Sequence, residues 1–568
     1  MNSKILLTVI GWLLVFGGGY AAHLVQSSAG VEVSDVRFEF EPGRELSALL
    51  YRPASATEQR PAPGILAVHG YINSRETQSG FAIEFARRGY VVLAIDQTGH
   101  GFSDGVAFSA GFGGPAALRY LRSLPFVDPD NVGLEGHSMG GWTSLAAAAD
   151  QPDGYQSIAL VGSSTGAPFA LEGTPQFPRN LAVIFSRYDE FAELMWGVDR
   201  ALDVVDSRKL QLLFGVDQTI EPQQLYGSIE AGTARWLSMP VTTHPGDHLS
   251  NEAIGDALSW MALTLQGGTS TDVSDQIWYW KELATLVAFI GGVCVLLGTF
   301  SVLLGSTAFA ALAGSAQGLV SNRDRRWWMI LVLISAVPAL SFFPLTALGA
   351  ALSANALFPQ GVTNQIMVWA LGNGFIGLLI AKLLAPEDPA QTAPKRSTSY
   401  ALRSLLLSVL VVGFVYLALL LSDLLFKTDF RFWVVALKLL APHHLTSFLA
   451  YLLPFTVFFY LSQAGWVQTL SSRGSPLSQY GCAIAANAGG LLVMLMVIYG
   501  YLFIAGRLPG VDPLFSIVAI QFVPVLTVTS VISVFTWRRT GSPLTGAMIC
   551  GLLVTWYVVA GQATHVGL

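Results

Sequence analysis

The run Gly136-His137-Ser138-Met139-Gly140-Gly141 has the residue types of a nucleophile held in a tight turn. A serine hydroxyl does useful chemistry when a sharp turn presents it in open space, beside a base and a set of amide donors. The run follows an apolar strand-like segment, residues 131–135, and opens a helical one, residues 142–149. Strand, glycine-flanked serine and helix is the setting that G-x-S-x-G chemistry requires, because side chains around the serine would clash in so tight a turn. Ser138 is the candidate nucleophile. The amide of Met139, at the start of the helix, is placed to bind an oxyanion. The hydroxyl still needs a base, and the base an orienting acid, in the chain order serine, acid, histidine.

The elements that must position these groups alternate in kind. Residues 31–40 and 45–52 read as two paired strands, and 63–69, 90–96, 131–135, 157–161 and 181–185 as further short apolar strands. Between them, residues 78–88, 114–124 and 142–149 have helical spacing. This alternation predicts an α/β fold, a mostly parallel sheet with helices on both faces.

Three motifs in register make residues 31–265 similar to the α/β-hydrolase superfamily, and especially to its lysophospholipase-like and monoacylglycerol-lipase-like esterases. Val68-His69-Gly70-Tyr71 resembles the oxyanion loop, residues 96–105 (DQTGHGFSDG) the turn after the fourth strand, and residues 136–141 the nucleophile elbow. The resemblance implies that Tyr71 and Met139 donate backbone amides to the oxyanion hole. It implies an acid a few residues beyond the strand 181–185, which points to Asp189, with Glu190 as the alternative. It implies a base in Thr243-His244-Pro245-Gly246-Asp247-His248-Leu249, which points to His248, with His244 as the alternative. The other histidines have structural readings: His69 braces the oxyanion loop, His100 shapes the neighbouring turn, and His137 fills a permissive elbow position. The chain departs from the family pattern in a short 163–180 stretch, where many lipases carry a lid, and in extra residues 194–231, expected to form a helical cap.

Composition divides the chain. Overall, 52% of residues are hydrophobic and only 12% charged, against about a quarter charged in a soluble globular protein. Residues 30–265 hold 15 Lys and Arg against 28 Asp and Glu, an acidic balance that argues against nucleic acid as a partner. Residues 5–25 form an apolar run, read as an uncleaved anchor within residues 1–29 or a signal peptide. Beyond 266, apolar segments lie near 283–306, 327–350, 365–385, 402–426, 445–467, 480–503, 512–536 and 543–563, with 433–440 read as interfacial. The chain therefore divides into an anchor (1–29), a hydrolase-like region (30–265) and a membrane region (266–568). Basic residues concentrate in alternate loops, among them Arg323, Arg325, Arg326, Lys395, Arg396, Arg473, Arg538 and Arg539. With Lys4 on their side, this bias predicts a multi-pass protein of a bacterial-type plasma membrane, its hydrolase-like region on the extracytoplasmic side.

The three cysteines, Cys294, Cys482 and Cys550, all lie in apolar segments, so residues 30–265 offer neither a disulfide framework nor a thiol nucleophile. No metal-ligand cluster and no phosphate-binding glycine loop occurs, and no cofactor is expected. The expected activity is hydrolysis of a carboxylic ester, an acyl lipid or other lipophilic ester reached from the membrane. An acyltransferase or a peptidase would use the same triad. The non-enzymatic reading is a transporter or receptor whose hydrolase-like region only binds.

Overall fold

A computed structural model describes residues 3–269, 271–314, 323–384, 397–470 and 475–567. Lys395, Arg396 and Arg473, used above for orientation, lie outside the described residues.

The N-terminal half is built on nine strands: β1 (Val31–Glu41), β2 (Arg44–Pro53), β3 (Ala62–Val68), β4 (Val91–Ile95), β5 (Val127–His137), β6 (Ser157–Val161), β7 (Leu181–Ile184), β8 (Leu225–Tyr226) and β9 (Arg235–Ser238). They form one sheet in the order β1-β2-β4-β3-β5-β6-β7-β9-β8. The ladders from β4 through β3, β5, β6 and β7 to β9 are parallel, and β1, β2 and β8 join antiparallel at the edges. β3, β4, β6 and β7 are buried along their whole length, as parallel strands covered on both faces must be. Successive side chains alternate between two cores. Leu66, Val68, Leu93, Leu134 and Leu160 face one, with Leu118, Leu121 and Leu145 of the helices Gly114–Ser123 and Met139–Asp150. Ile65, Ala67, Val92 and Ala159 face the other, with Phe81, Phe85, Ile254 and Leu258 of the helices Ser79–Arg87 and Asn251–Thr264. This is the mostly parallel sheet with helices on both faces that the strand and helix alternation predicts, and the α/β-hydrolase arrangement that the motif resemblance implies.

The extra residues between β7 and β9 hold two short helices, Ala192–Trp196 and Arg208–Phe214. Leu210, Leu213, Phe214 and Ile220 are buried in the first sheet core. These residues seal the sheet, while Ala192 to Met195 and Asp199 face the cavity over the sheet edge. The helix Ala192–Trp196 thus lies at the cavity, as the expected cap would, and the helix Arg208–Phe214 packs into the sheet core.

Among the described residues, eight helices are long and apolar enough to cross a membrane, or nine if Arg325–Leu340 and Phe342–Gly349, bent by 46°, make one span. They coincide with the apolar segments read from the sequence. A two-stranded hairpin, β10 (Phe430–Phe432) and β11 (Val435–Leu437), occupies much of the stretch read as interfacial and returns the chain against the hydrolase half. Polar groups within the spans mostly tie helices together. Asn487 Nδ2 donates to Ser530 Oγ at 2.8 Å, and Ser341 Oγ to Asn373 Oδ1 at 3.1 Å.

The N-terminal helix Ser3–Gln26 lies along Trp278–Leu304. Glycines bring the two backbones together: a Cβ at Gly291 would sit 2.7 Å from Val15 N, and one at Gly18 2.6 Å from Ala284 O. Small residues are what allow such helix contact where no hydrophobic driving force separates protein from lipid. Gly291→Val is expected to destabilise the protein by about 1–3 kcal/mol, the cost of overpacking a tight contact. A thermal melt in detergent reads this as a lowered Tm. Gly413→Val, where a Cβ meets nothing within 4 Å, serves as the neutral control.

Candidate active site

Ser138 sits between β5 and its helix with φ 56° and ψ −122°, a left-handed conformation that costs a non-glycine residue about 1–3 kcal/mol. The glycines around it are steric requirements. A side chain at Gly140 would meet the Val68 carbonyl, and one at Gly136 the carbonyl of Gly140. Met139 is the first residue of the helix, so its amide has no acceptor inside that helix. Ser138, Met139 and Tyr71 line one cavity of about 1210 Å³.

The loop bearing Tyr71 is held by His69, expected to brace it, and also by His100, expected to shape the neighbouring turn. His69 Nε2 accepts from the Gln97 amide at 3.1 Å, which leaves Nδ1–H to donate to Gly70 O at 2.6 Å. His100 Nε2 accepts from the Ile72 amide at 3.3 Å, while its Nδ1 donates to Thr98 O at 3.0 Å. Burial pushes His100 down to about 3, so it stays neutral and keeps this pattern. Tyr71 also receives a contact from beyond the last long helix. His565 Nδ1 accepts from the Gly361 amide at 3.2 Å, so its Nε2–H donates to the Tyr71 phenol oxygen at 2.8 Å. The phenol's own proton is left for another acceptor.

Asp189 and His244 form a hydrogen-bonded carboxylate–imidazole pair. Asp189 Oδ2 lies 2.9 Å from His244 Nδ1, and its Oδ1 accepts from the Phe191 amide at 2.8 Å. With the proton on Nδ1, the basic nitrogen of His244 is Nε2. The sequence reading placed His248 in this position, and the structure instead gives the acid to His244. The reason is register. β7 and β9 run parallel, and a further bridge pairs Tyr188 with Thr243 beyond the strand ends. The next residue on each side is Asp189 and His244, delivered side by side. His248 lies one turn further on, in the 3-10 turn Pro245–Leu249. It lines the same cavity, but neither of its ring nitrogens has a hydrogen-bond partner, and its ring lies 4.1 Å from that of His137. Equal steps from the Ile184–Ser238 pair would set Asp189 against Thr243, and the one-residue shift at the Tyr188–Thr243 bridge brings His244 there instead.

Several supports were not legible as chemistry in the sequence. His137 Nε2 donates to the His244 carbonyl at 3.0 Å, beside Asp247 Oδ2 at 3.5 Å, and Asp247 in turn accepts from Ser186 Oγ. Glu190, the alternative acid, is a brace: Oε2 accepts from the His244 amide at 2.7 Å and Oε1 from the Tyr499 hydroxyl at 2.9 Å. Burial pushes the Glu190 carboxyl up to about 8. Tyr499 belongs to the membrane-type helix Gly490–Ala505, and Trp433, between β10 and β11, donates its indole N–H to Pro245 O at 2.7 Å. The C-terminal half thus grips both ends of the loop that carries the base. It also roofs the cavity with residues 507–514, Ile517 and Gln521. Among the described residues, no group of three or more His, Cys, Asp or Glu side chains is arranged to hold a metal ion.

Residues 42–169 match the family model described as X-Pro dipeptidyl-peptidase (S15 family). The chain is 35% identical over 123 residues to the quorum-quenching protein AidA of Acinetobacter baumannii, covering 20% of this chain and 39% of that protein. It is 27% identical over 193 residues to the mitochondrial palmitoyl-protein thioesterase ABHD10 of Homo sapiens, covering 31% of this chain and 61% of that protein. The chain thus spans well under two thirds of the length of AidA. Among solved structures, the Pyrococcus furiosus esterase Pf2001 aligns at 17% identity and a TM-score of 0.31, covering 42% of this chain and 93% of that one.

Two outcomes are expected of this arrangement. His244→Ala should abolish labelling of Ser138 by a fluorophosphonate probe, while His248→Ala should retain it within about tenfold, as the loss of a group that orients nothing. The opposite pattern in a gel-based labelling assay would return the base to His248. Burial lowers the His244 imidazole toward about 4, below its ordinary 6.5. The neutral base therefore persists into acid, and kcat/KM should stay level from pH 8 to below 6, falling only as the pH drops through the lowered pKa.

Proposed function

We propose that this chain is a membrane-anchored serine hydrolase that cleaves lipophilic carboxylic esters through an acyl-enzyme on Ser138. The observation that carries the reading is the Asp189–His244 hydrogen bond on the wall of the cavity that the strained Ser138 also lines. His244 Nε2 takes the Ser138 hydroxyl proton as Oγ bonds to the ester carbonyl carbon. The amides of Met139 and Tyr71 hold the resulting oxyanion, and the Tyr71 phenol proton is a further donor on the same loop. As the carbonyl re-forms, the bond to the alkoxide leaving group breaks and the alcohol departs with the proton from His244. Water then gives a proton to His244 while its oxygen attacks the acyl carbon, and the acid leaves as Ser138 regains its proton. Asp189 keeps the imidazole in the required tautomer throughout and stabilises the imidazolium when it forms.

Ester substrates of lipid character are favoured by the cavity wall. Phe108, Trp142, Phe169, Leu194, Val434 and Ile517 present apolar surface there, and its roof belongs to helices of membrane-spanning length. The hydrolase half on the extracytoplasmic side follows from the distribution of basic residues. Peptide hydrolysis is the second reading, favoured by the S15 family match over residues 42–169. Both use the same acyl-enzyme and differ in whether an alcohol or an amine leaves.

Purified protein should hydrolyse 4-nitrophenyl and glycerol acyl esters, and Ser138→Ala should lower kcat/KM by at least about 10³-fold with its fold intact by circular dichroism. Turnover of X-Pro 4-nitroanilides exceeding that of esters would move the assignment to peptidase. Substrate uptake or binding with no turnover, unchanged in Ser138→Ala, would make the region a binding module.

A further inference from the structure

A network of charged side chains lies under the oxyanion loop, where the hairpin β10–β11 meets the hydrolase half. Its carboxylates are already engaged. Arg75 reaches Asp35 at 2.7 Å, Glu76 at 3.1 Å and Asp96 at 3.8 Å. Arg431 reaches Asp429 at 2.7 Å and Glu76 at 3.8 Å, and donates to Thr77 Oγ1 at 2.9 Å and Ser74 Oγ at 3.2 Å.

Lys438, the residue after β11, stands beside this network without touching any of its carboxylates. It is 7% exposed, yet among the described residues its ammonium has no carboxylate within 4 Å and no hydrogen-bond partner. Its backbone carbonyl is held by the Trp556 indole N–H at 2.6 Å, so the side chain is tethered at its root and cannot leave with the loop. Lysine is rarely buried this far without a partner, because an ammonium stripped of water needs compensating charge or acceptors. Lys438 lines a small cavity of about 20 Å³ with Asn73, Arg431, Gln521 and Gln562. Such a space admits a water or the oxygens of one small group. Asn73 and Gln521, with Ile72 and Val434, line both this space and the large cavity that holds Ser138.

We propose that the Lys438 cavity is an anion subsite, which receives a carboxylate or phosphate carried by the substrate at a distance from the scissile ester. This rests on the hydrolase reading for Ser138 and narrows it: the preferred ester is an acidic amphiphile rather than a neutral one. An anion seated there gains a charge-assisted hydrogen bond from Lys438, beside Arg431, in a cavity whose lining residues include no carboxylate. Asn73 and Gln521 offer polar side chains along the way from the nucleophile.

Binding and turnover test this separately. In Ser138→Ala protein in detergent, millimolar glutarate or inorganic phosphate should raise Tm, and neutral glutaramide should not. Adding Lys438→Met should remove that rise, and so should Asn73→Asp, which places an internal carboxylate at the subsite and keeps the test decisive if Lys438→Met fails to fold. No rise with either anion, or a rise of equal size in the double variants, would overturn the subsite. In active protein, 4-nitrophenyl hemiglutarate is compared with 4-nitrophenyl valerate, and lysophosphatidic acid with the matching monoacylglycerol. The first pair reads a carboxylate on the acyl side, the second a phosphate on the leaving group. An anionic preference of about tenfold in kcat/KM is expected in one pair. It should fall to near one in Lys438→Met, with neutral-ester rates unchanged, and persist in part in Lys438→Arg. A preference that survives Lys438→Met would sink the proposal. Absence of both turnover and fluorophosphonate labelling would count against Ser138 chemistry alone, since the melting experiment judges the subsite without it.

Discussion

Asp189 and His244 hold each other at 2.9 Å because a parallel ladder ends between them. β7 and β9 run to the same edge in parallel, and the Tyr188–Thr243 bridge, shifted by one residue from the ladder, sets the last residue before each side by side. A carboxylate and an imidazole brought together out of water interact far more strongly than in solvent, and each fixes the other's orientation. The rest of the site is arranged around this contact. His137 and Glu190 bond the backbone of His244 from opposite sides, at its carbonyl and its amide, so the ring is located through its main chain as well as its Nδ1. Ser138 is located independently, by glycines that let the elbow approach β3 closely.

The second half of the chain is joined to this site at several points. Tyr499 anchors Glu190, Trp433 anchors Pro245, and His565 anchors Tyr71. Thr564 adds backbone hydrogen bonds to Gly99 and Ala107 at 2.8 and 2.7 Å, beside the oxyanion loop. An anchor that only tethered the hydrolase would need none of these. The contacts make the membrane-type helices part of the wall and roof of the cavity, in the place where many lipases carry a separate lid. Under the proposed function both halves would shape substrate choice, and Lys438 sits on their common boundary.

The same boundary explains the buried arginines. Arg75 and Arg431 are both nearly inaccessible, and each is surrounded by carboxylates and hydroxyls drawn from segments far apart in the chain. Removing one partner of such a network leaves an uncompensated buried charge, which is more costly than never having built it. The network therefore ties the hairpin β10–β11 to the turn after β3 through electrostatics as well as shape.

Local patterning determined the mostly parallel sheet, the serine elbow and the positions of the long apolar helices, and the motif resemblance added the α/β-hydrolase reading and the bracing role of His69. Each of these depends on neighbours in the chain: strand periodicity, glycines flanking Ser138, and apolar length. The tertiary structure decided what depends on residues far apart. It chose His244 over His248, because strand register across β7 and β9 cannot be read from either strand by itself. It turned Glu190 from a spare acid into a brace, since its partner Tyr499 is more than three hundred residues away. It packed much of the insertion before β9 into the sheet core and gave the roof to the C-terminal half, because burial is settled by which apolar surfaces meet, and sequence states only that they exist.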